Sequence, residues 1–183
     1  MEPKEWMKHK QQGMKYQMDE LMKESQTLET HMLQSLSASE EYDYLVSKMN
    51  FCQRKELNSS LDLGVRVHIG DICFVDYGLA YILEIGYLHF GLILAMQHGK
   101  AFIVPVSGNY RAYLQAYAPD HKQGKRHLMR LGCIPGMNKV SVLYMNDAKW
   151  INTARIIDVK AHLDPQEKLF QEIKGRIVEL IVS

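Results

Sequence analysis

The chain has 183 residues, 46% of them hydrophobic and 23% charged, with a formal net charge of +1. This balance suits one domain, or one small domain with an appendage, and excludes a disordered or fibrous protein. The longest apolar runs, such as 90–96, are far too short to cross a bilayer, and the charged, helix-like N-terminus has no apolar signal core, so a cytoplasmic protein with no membrane partner is expected.

Cys52, Cys73 and Cys133 are odd in number, widely separated and form no CxxC pair. Reduced thiols are therefore expected, not a disulfide framework or a zinc knuckle. Charge is distributed unevenly. Residues 1–60 hold eight Lys/Arg against ten Asp/Glu, and residues 61–183 hold fourteen against eleven. The stretch 100–139 is the most basic, with Arg111, Lys122, Lys125, Arg126 and Arg130 facing only Asp120. Such a segment either contacts phosphates or is a solvated loop.

In chain order, 3–36 reads as a helix whose apolar stripe is Met7, Met14, Met18, Leu21, Leu28 and Met32. Ser37 and Glu40 form a capping box that opens a second helix, expected from Glu40 to Leu57, with Tyr42, Leu45, Val46, Met49 and Cys52 near one face. Two helices with a short joint make a hairpin, and Asn58 to Gly64 reads as a linker. The expected division is a helical region over 1–60 and a folded domain over 61–183. The helices serve dimerisation, bind a partner, cover the active surface or simply complete the core; periodicity does not separate these.

The densest strand and turn signals lie between Val67 and Asn109. Residues 65–69 alternate, 72–77 predict a strand ending at Gly78, and 79–87 predict a long turn containing Glu84 and Gly86. Residues 89–96 are almost continuously apolar, as in a strand buried on both faces. Gln97 to Lys100 is a hairpin signal with Gly99 at a position needing positive φ. The return strand, 101–106, contains Pro105, which implies an edge or a bulge. Further on, 139–144 predict a strand, and 150–159 a short helical turn or bend followed by a strand. Asp120, His121, Arg126 and His127 fall on an expected exposed loop between Ala118 and Met137. Asp164 at N-cap, Pro165 at N1 and Glu167 at N3 open a closing helix with Leu169, Phe170, Ile173, Ile177, Leu180 and Ile181 on one stripe. The fold class is thus α+β: a small SH3-like β-barrel with a C-terminal helix, preceded by the helical hairpin.

Other chemistries lack their residues. There is no GxSxG elbow, P-loop or GxGxxG, and His121, His127 and Cys133 are spaced unlike any common zinc pattern. No metal or cofactor is expected.

The order GDICFVDYG, EIGYLHFGLIL, KAFIVPVS, SVLYMND and INTARIID resembles the MazF/PemK toxin-like endoribonucleases over residues 66–183. The resemblance implies an SH3-like barrel that forms homodimers and cleaves single-stranded RNA without a metal. It also implies a bacterial, phage or plasmid origin and an antitoxin protein that blocks the RNA groove. The family's catalytic Arg falls at His89 and its catalytic Thr at Ser107. Serine keeps the hydroxyl. Histidine exchanges a permanent cation for a group that titrates near pH ~6.5. Either His89 is a general acid/base with Ser107 as phosphate or 2′-OH partner, or loss of the Arg has left an inactive module that binds nucleic acid or a protein; a structural His89 is the third reading. Glu84 either orients His89 or is solvated. Tyr81 and Tyr87 offer faces for base stacking or pack in their loop. Asn109 and Arg111 complete the expected substrate-binding set, Arg111 compensating for the missing cation.

Overall fold

The computed structural model describes residues 18–182 together with Lys4. Two compact units make up the chain, one ending at Asp43 and the other beginning at Tyr44. The division therefore falls within the second helix, upstream of the linker expected near residue 60.

In the first unit, α1 (Met18–Ser35) buries none of its residues, and Met18, Leu28 and Met32 are exposed. Met7 and Met14 of the expected stripe lie outside the described residues. The Ser37 capping box is present. The Ser37 N–H and Oγ donate to Glu40 Oε2 at 2.9 and 2.6 Å, and the Glu40 N–H returns to Ser37 Oγ at 3.4 Å. These bonds hold the Glu40 carboxyl below the usual carboxylate range and start α2 (Ala38–Arg54).

The second unit is an eight-stranded sheet with flanking helices. Its strands are β1 (Asp71–Asp76), β2 (Leu88–Gln97), β3 (Lys100–Ser107), β4 (Ala116–Tyr117), β5 (Lys125–Gly132), β6 (Ser141–Tyr144), β7 (Lys149–Asn152) and β8 (Ile156–His162). Helices α3 (Tyr110–Gln115) and α4 (Lys168–Val182) complete it. The spatial order is β4-β5-β6-β3-β2-β1-β8, with β7 also on β3.

The hairpin core follows the sequence closely. Ile72, Leu92, Leu94 and Val104 face one apolar cluster, whereas Cys73, Val75, Ile93 and Ile103 face another. Strand alternation thus explains why 89–96 reads as continuously apolar: both faces are buried, each large side chain contributing roughly 1.5–3 kcal/mol. The β2–β3 turn has φ of 46° at His98 and 75° at Gly99, the paired positive values that suit a twisted two-residue hairpin. Pro105 is buried within β3. There, β7 pairs with 100–103 and β6 with 106–107. The proline falls in the gap on that side of β3, and on the other side it stands opposite Gly91 of β2.

Five expectations are corrected. The sheet is not a closed barrel: β4 and β8 are its two ends. Beside β8 the chain makes a turn instead of a strand, closed by Met137 N–H to the Ile134 carbonyl at 2.9 Å. Gly136 packs there against the Lys160 carbonyl, 2.7 Å from where a Cβ would stand. Residues 65–68 form no strand. The expected loop 118–137 contains β5, whose Leu128, Met129 and Leu131 are buried; their apolar signal is masked by the charged residues around them. The last helix begins at Lys168, after a turn in which Asp164 Oδ1 accepts from the Gln166 N–H (2.8 Å). Its Phe170, Ile173 and Ile177 close the first cluster.

The fifth correction concerns α2. Its buried residues are Tyr44 and Ser47, while Tyr42, Leu45 and Met49 of the expected face are exposed. Polar bonding reverses the helix: buried Asp76 at the end of β1 accepts from Ser47 Oγ at 2.7 Å and Asn50 Nδ2 at 3.0 Å. The linker is likewise anchored, through Ser60 N–H to Thr153 Oγ1 at 3.0 Å and Asn152 Nδ2 to the Leu57 carbonyl at 3.2 Å.

Candidate functional site

The β2–β3 ladder ends at Phe90–Val106. Opposed positions of an antiparallel pair share a face, so the next step is where His89 and Ser107 fall, on the same side of the two strands. His89 also pairs with Val75 of β1. Its Nδ1 lies 2.7 Å from the Gly86 carbonyl. A carbonyl only accepts, so Nδ1 carries the proton and Nε2 is the atom left to exchange one. Tyr77 packs over the adjacent Gly91, where a Cβ would stand 2.2 Å from the Tyr77 hydroxyl oxygen. The close fit leaves the strand next to His89 little freedom to shift.

Ser107 and Asn109 line a cavity of about 540 Å³ with Phe90, Asn138, Lys139 and Lys160. Ser107 Oγ accepts from the Asn109 N–H at 3.2 Å, and Asn109 Oδ1 caps α3 through the Ala112 N–H at 3.1 Å. Lys160 is paired with Asp158. Lys139 lies against Gly108 and has no carboxylate partner among the described residues. Neither lysine carries a signal in the sequence, because Lys139 sits beyond the expected loop and Lys160 on a strand near the C-terminal end of the chain. Nothing local marks either.

His89 does not line this cavity, and the remaining expected residues are dispersed. Arg111 is exposed on α3 and does not line the cavity. Arg130 does more in that region: its Nε and Nη2 donate to the Tyr113 and Leu114 carbonyls at 2.9 and 3.0 Å, completing the C-terminal end of α3. The 79–87 loop is closed at its base by Tyr77 N–H to the Tyr87 carbonyl and Tyr87 N–H to the Gly78 carbonyl, both 2.7 Å. Tyr87 is half-buried there with φ of 52°, and Tyr81 is 86% exposed at the tip. Glu84 Oε2 accepts from the Tyr81 N–H at 3.2 Å, so this carboxylate shapes the loop while Gly86 orients His89. Asp147, from the turn after β6, accepts a backbone bond from Ile85. Burial raises its pKa above the ordinary carboxyl value, Lys149 opposes the rise, and Glu84 adds to it. Burial also pushes the Cys73 thiol up to about 12, reinforced by Asp71 and Asp158, so this cysteine stays protonated.

Among the described residues no three His, Cys, Asp or Glu side chains are grouped to hold a metal ion, and no helix is long and apolar enough to cross a membrane. No family model matches the sequence, nor does any curated protein. Solved structures do resemble the fold. The crystal structure of MazF (Form-I) from Deinococcus radiodurans has 13% identity and a TM-score of 0.47, covering 65% of this chain and 99% of its own. The Mycobacterium tuberculosis toxin MazF-mt6 has 14% identity and a TM-score of 0.41, covering 60% of this chain and 96% of its own.

Proposed function

We propose that this protein is a cytoplasmic, toxin-like endoribonuclease that cleaves single-stranded RNA without a metal. The observation that carries the reading is the placing of an oriented imidazole, His89, one step past the end of a ladder whose other strand ends in Ser107 at a lysine-lined cavity. His89 Nε2 takes the 2′-OH proton as that oxygen attacks the adjacent phosphorus. The P–O5′ bond breaks, the proton passes to the departing 5′ oxygen, and a 2′,3′-cyclic phosphate remains. Ser107 Oγ donates to a phosphoryl oxygen, and Lys139 offsets the charge that builds on the phosphate. The family resemblance supports the RNA substrate, a homodimer and an antitoxin partner. The 79–83 loop tip supports a covering partner, because Ile82 and Leu83 are each 92% exposed.

The test is cleavage of single-stranded RNA by the wild-type protein, His89→Ala and Ser107→Ala, with the new ends analysed. We expect cyclic phosphate ends and a loss of about 10²–10⁴-fold in His89→Ala, the usual contribution of a general acid/base. Undiminished cleavage by His89→Ala would sink the mechanism. Tight RNA binding without cleavage would instead identify an inactive binding module.

A further inference from the structure

A second cavity, about 380 Å³, lies between α2 and the sheet, lined by Ser47, Lys48, Asn50, Phe51, Arg54 and Lys55 from the helix side. Asp76, Gly78, Leu79, Asn152, Ala154 and Arg155 line the facing wall. Asp76 is the one carboxylate in this lining, and it is already engaged. Its side chain accepts from Ser47, from Asn50 and from the Gly78 N–H at 2.9 Å. The two amides are engaged as well, Asn50 with Asp76 and Asn152 with the Leu57 carbonyl and the Ala154 N–H.

The two guanidiniums are not neutralised. Arg54 Nη1 donates to the Ala154 and Ile156 carbonyls at 3.4 and 3.5 Å, and Arg155 Nη1 to the Asp76 carbonyl at 3.2 Å. Neither has a carboxylate partner among the described residues, and carbonyls position a cation without cancelling its charge. Gly78, with φ of 84°, makes room for Arg155: a Cβ there would stand 2.9 Å from Nη1. Two half-buried cations on facing walls repel each other in a partly desolvated space, and an anion between them would remove that cost. Guanidinium forks match phosphate oxygens geometrically. Beside them Phe51 and Leu79 are 59% and 63% exposed, a ring and an apolar side chain suited to a flat base.

We propose that this cavity binds a nucleotide through its phosphate, either a free nucleoside monophosphate or the phosphorylated end of a single-stranded RNA. Arg54 and Arg155 grip the phosphate and Phe51 stacks on the base. Asn50 Nδ2 and both ends of the Asn152 amide are committed within the fold, so little discrimination between bases is expected. The site depends on α2 and is separate from the Ser107 cavity. Because it is tested by binding alone, its failure is distinct from failure of RNA cleavage.

The experiment is titration of the full chain with AMP, adenosine and inorganic phosphate at low salt, followed by tyrosine and tryptophan fluorescence and calorimetry. AMP is expected to saturate, adenosine not to, and phosphate to compete with AMP. Arg54→Gln and Arg155→Gln should each weaken AMP about tenfold or more, as loss of a charge-assisted bond to phosphate does. Phe51→Ala sits on an exposed position that does not carry the fold. It should weaken AMP severalfold and leave phosphate competition unchanged. A 5′-phosphorylated trinucleotide that displaces AMP at lower concentration than its 5′-hydroxyl form assigns the RNA end; failure to do so assigns the free nucleotide. Equal binding of AMP and adenosine, AMP binding indifferent to both arginine substitutions in folded variants, or no saturation at millimolar AMP overturns the proposal.

Discussion

The two cavities are built in opposite ways. The one at Ser107 opens where β2 and β3 stop pairing, so Phe90, Ser107 and Asn109 follow from strand register, while the 136–141 segment and Lys160 arrive from afar. The one beneath α2 exists because contacts distant in sequence coincide: Ser47 meets Asp76 across 29 residues, and Arg54 meets Ala154 across 100. A cavity made by register tolerates change in the helix. A cavity made by long-range polar contacts disappears with the residue that collects them, which here is Asp76.

The comparison can be broken in several places. The largest effect expected is the loss of RNA cleavage in His89→Ala, which should leave nucleotide binding at the helix cavity untouched because His89 does not line that cavity. Asp76→Ala comes next. It leaves the buried Ser47 Oγ without its acceptor, at about 1–3 kcal/mol, and the part-buried Asn50 Nδ2 and Gly78 N–H, which water reaches, at less. Urea denaturation should show a loss of roughly 2–4 kcal/mol, and AMP binding should fail. A loss below about 1 kcal/mol would mean that α2 is held by something other than this carboxylate.

Gly91→Ala tests the other side. Its new methyl would meet Tyr77 Oη at 2.2 Å and Ile103 Cδ1 at 2.5 Å, so a destabilisation of about 1–3 kcal/mol is expected from overpacking. Cleavage should fall with it as His89 is displaced. Retained stability would show that Tyr77 is free to move.

The smallest effect is a pH dependence. Asp147 has a raised pKa, chiefly from burial, so its ionisation disfavours the folded state. The sign follows from the raised value: its relative contribution is fully present below the ordinary carboxyl pKa and lost as pH rises through the higher folded value. Asp147→Asn should therefore flatten thermal stability across that acidic window. An unchanged profile would remove Asp147 from the account.

How far the chain could be read without coordinates differed by region for physical reasons. Strands β1 to β3 were legible because their apolar residues alternate into two buried faces and because His98–Gly99 is a local turn signal. His89 and Ser107 stand out in the sequence because they lie near the ends of those strands. By contrast β5 was hidden, since only Leu128, Met129 and Leu131 are buried among basic neighbours. The outward face of α2 was misjudged because hydrophobic periodicity says nothing of a buried carboxylate waiting on another element. Arg54 and Arg155 carry no local signal as a pair, being 101 positions apart with no shared motif.

By itself, then, the sequence determined the hairpin, the capping box at Ser37, the closing helix and the two side chains at the strand ends, all set by local geometry and by burial patterns of period two or three to four. Only the tertiary structure decided that the sheet stays open, that Lys139 and Lys160 gather beside Ser107, and that α2 turns its polar side inward to Asp76. Those outcomes depend on which distant groups satisfy one another's charge and hydrogen bonds, and that matching is settled only when the chain has folded.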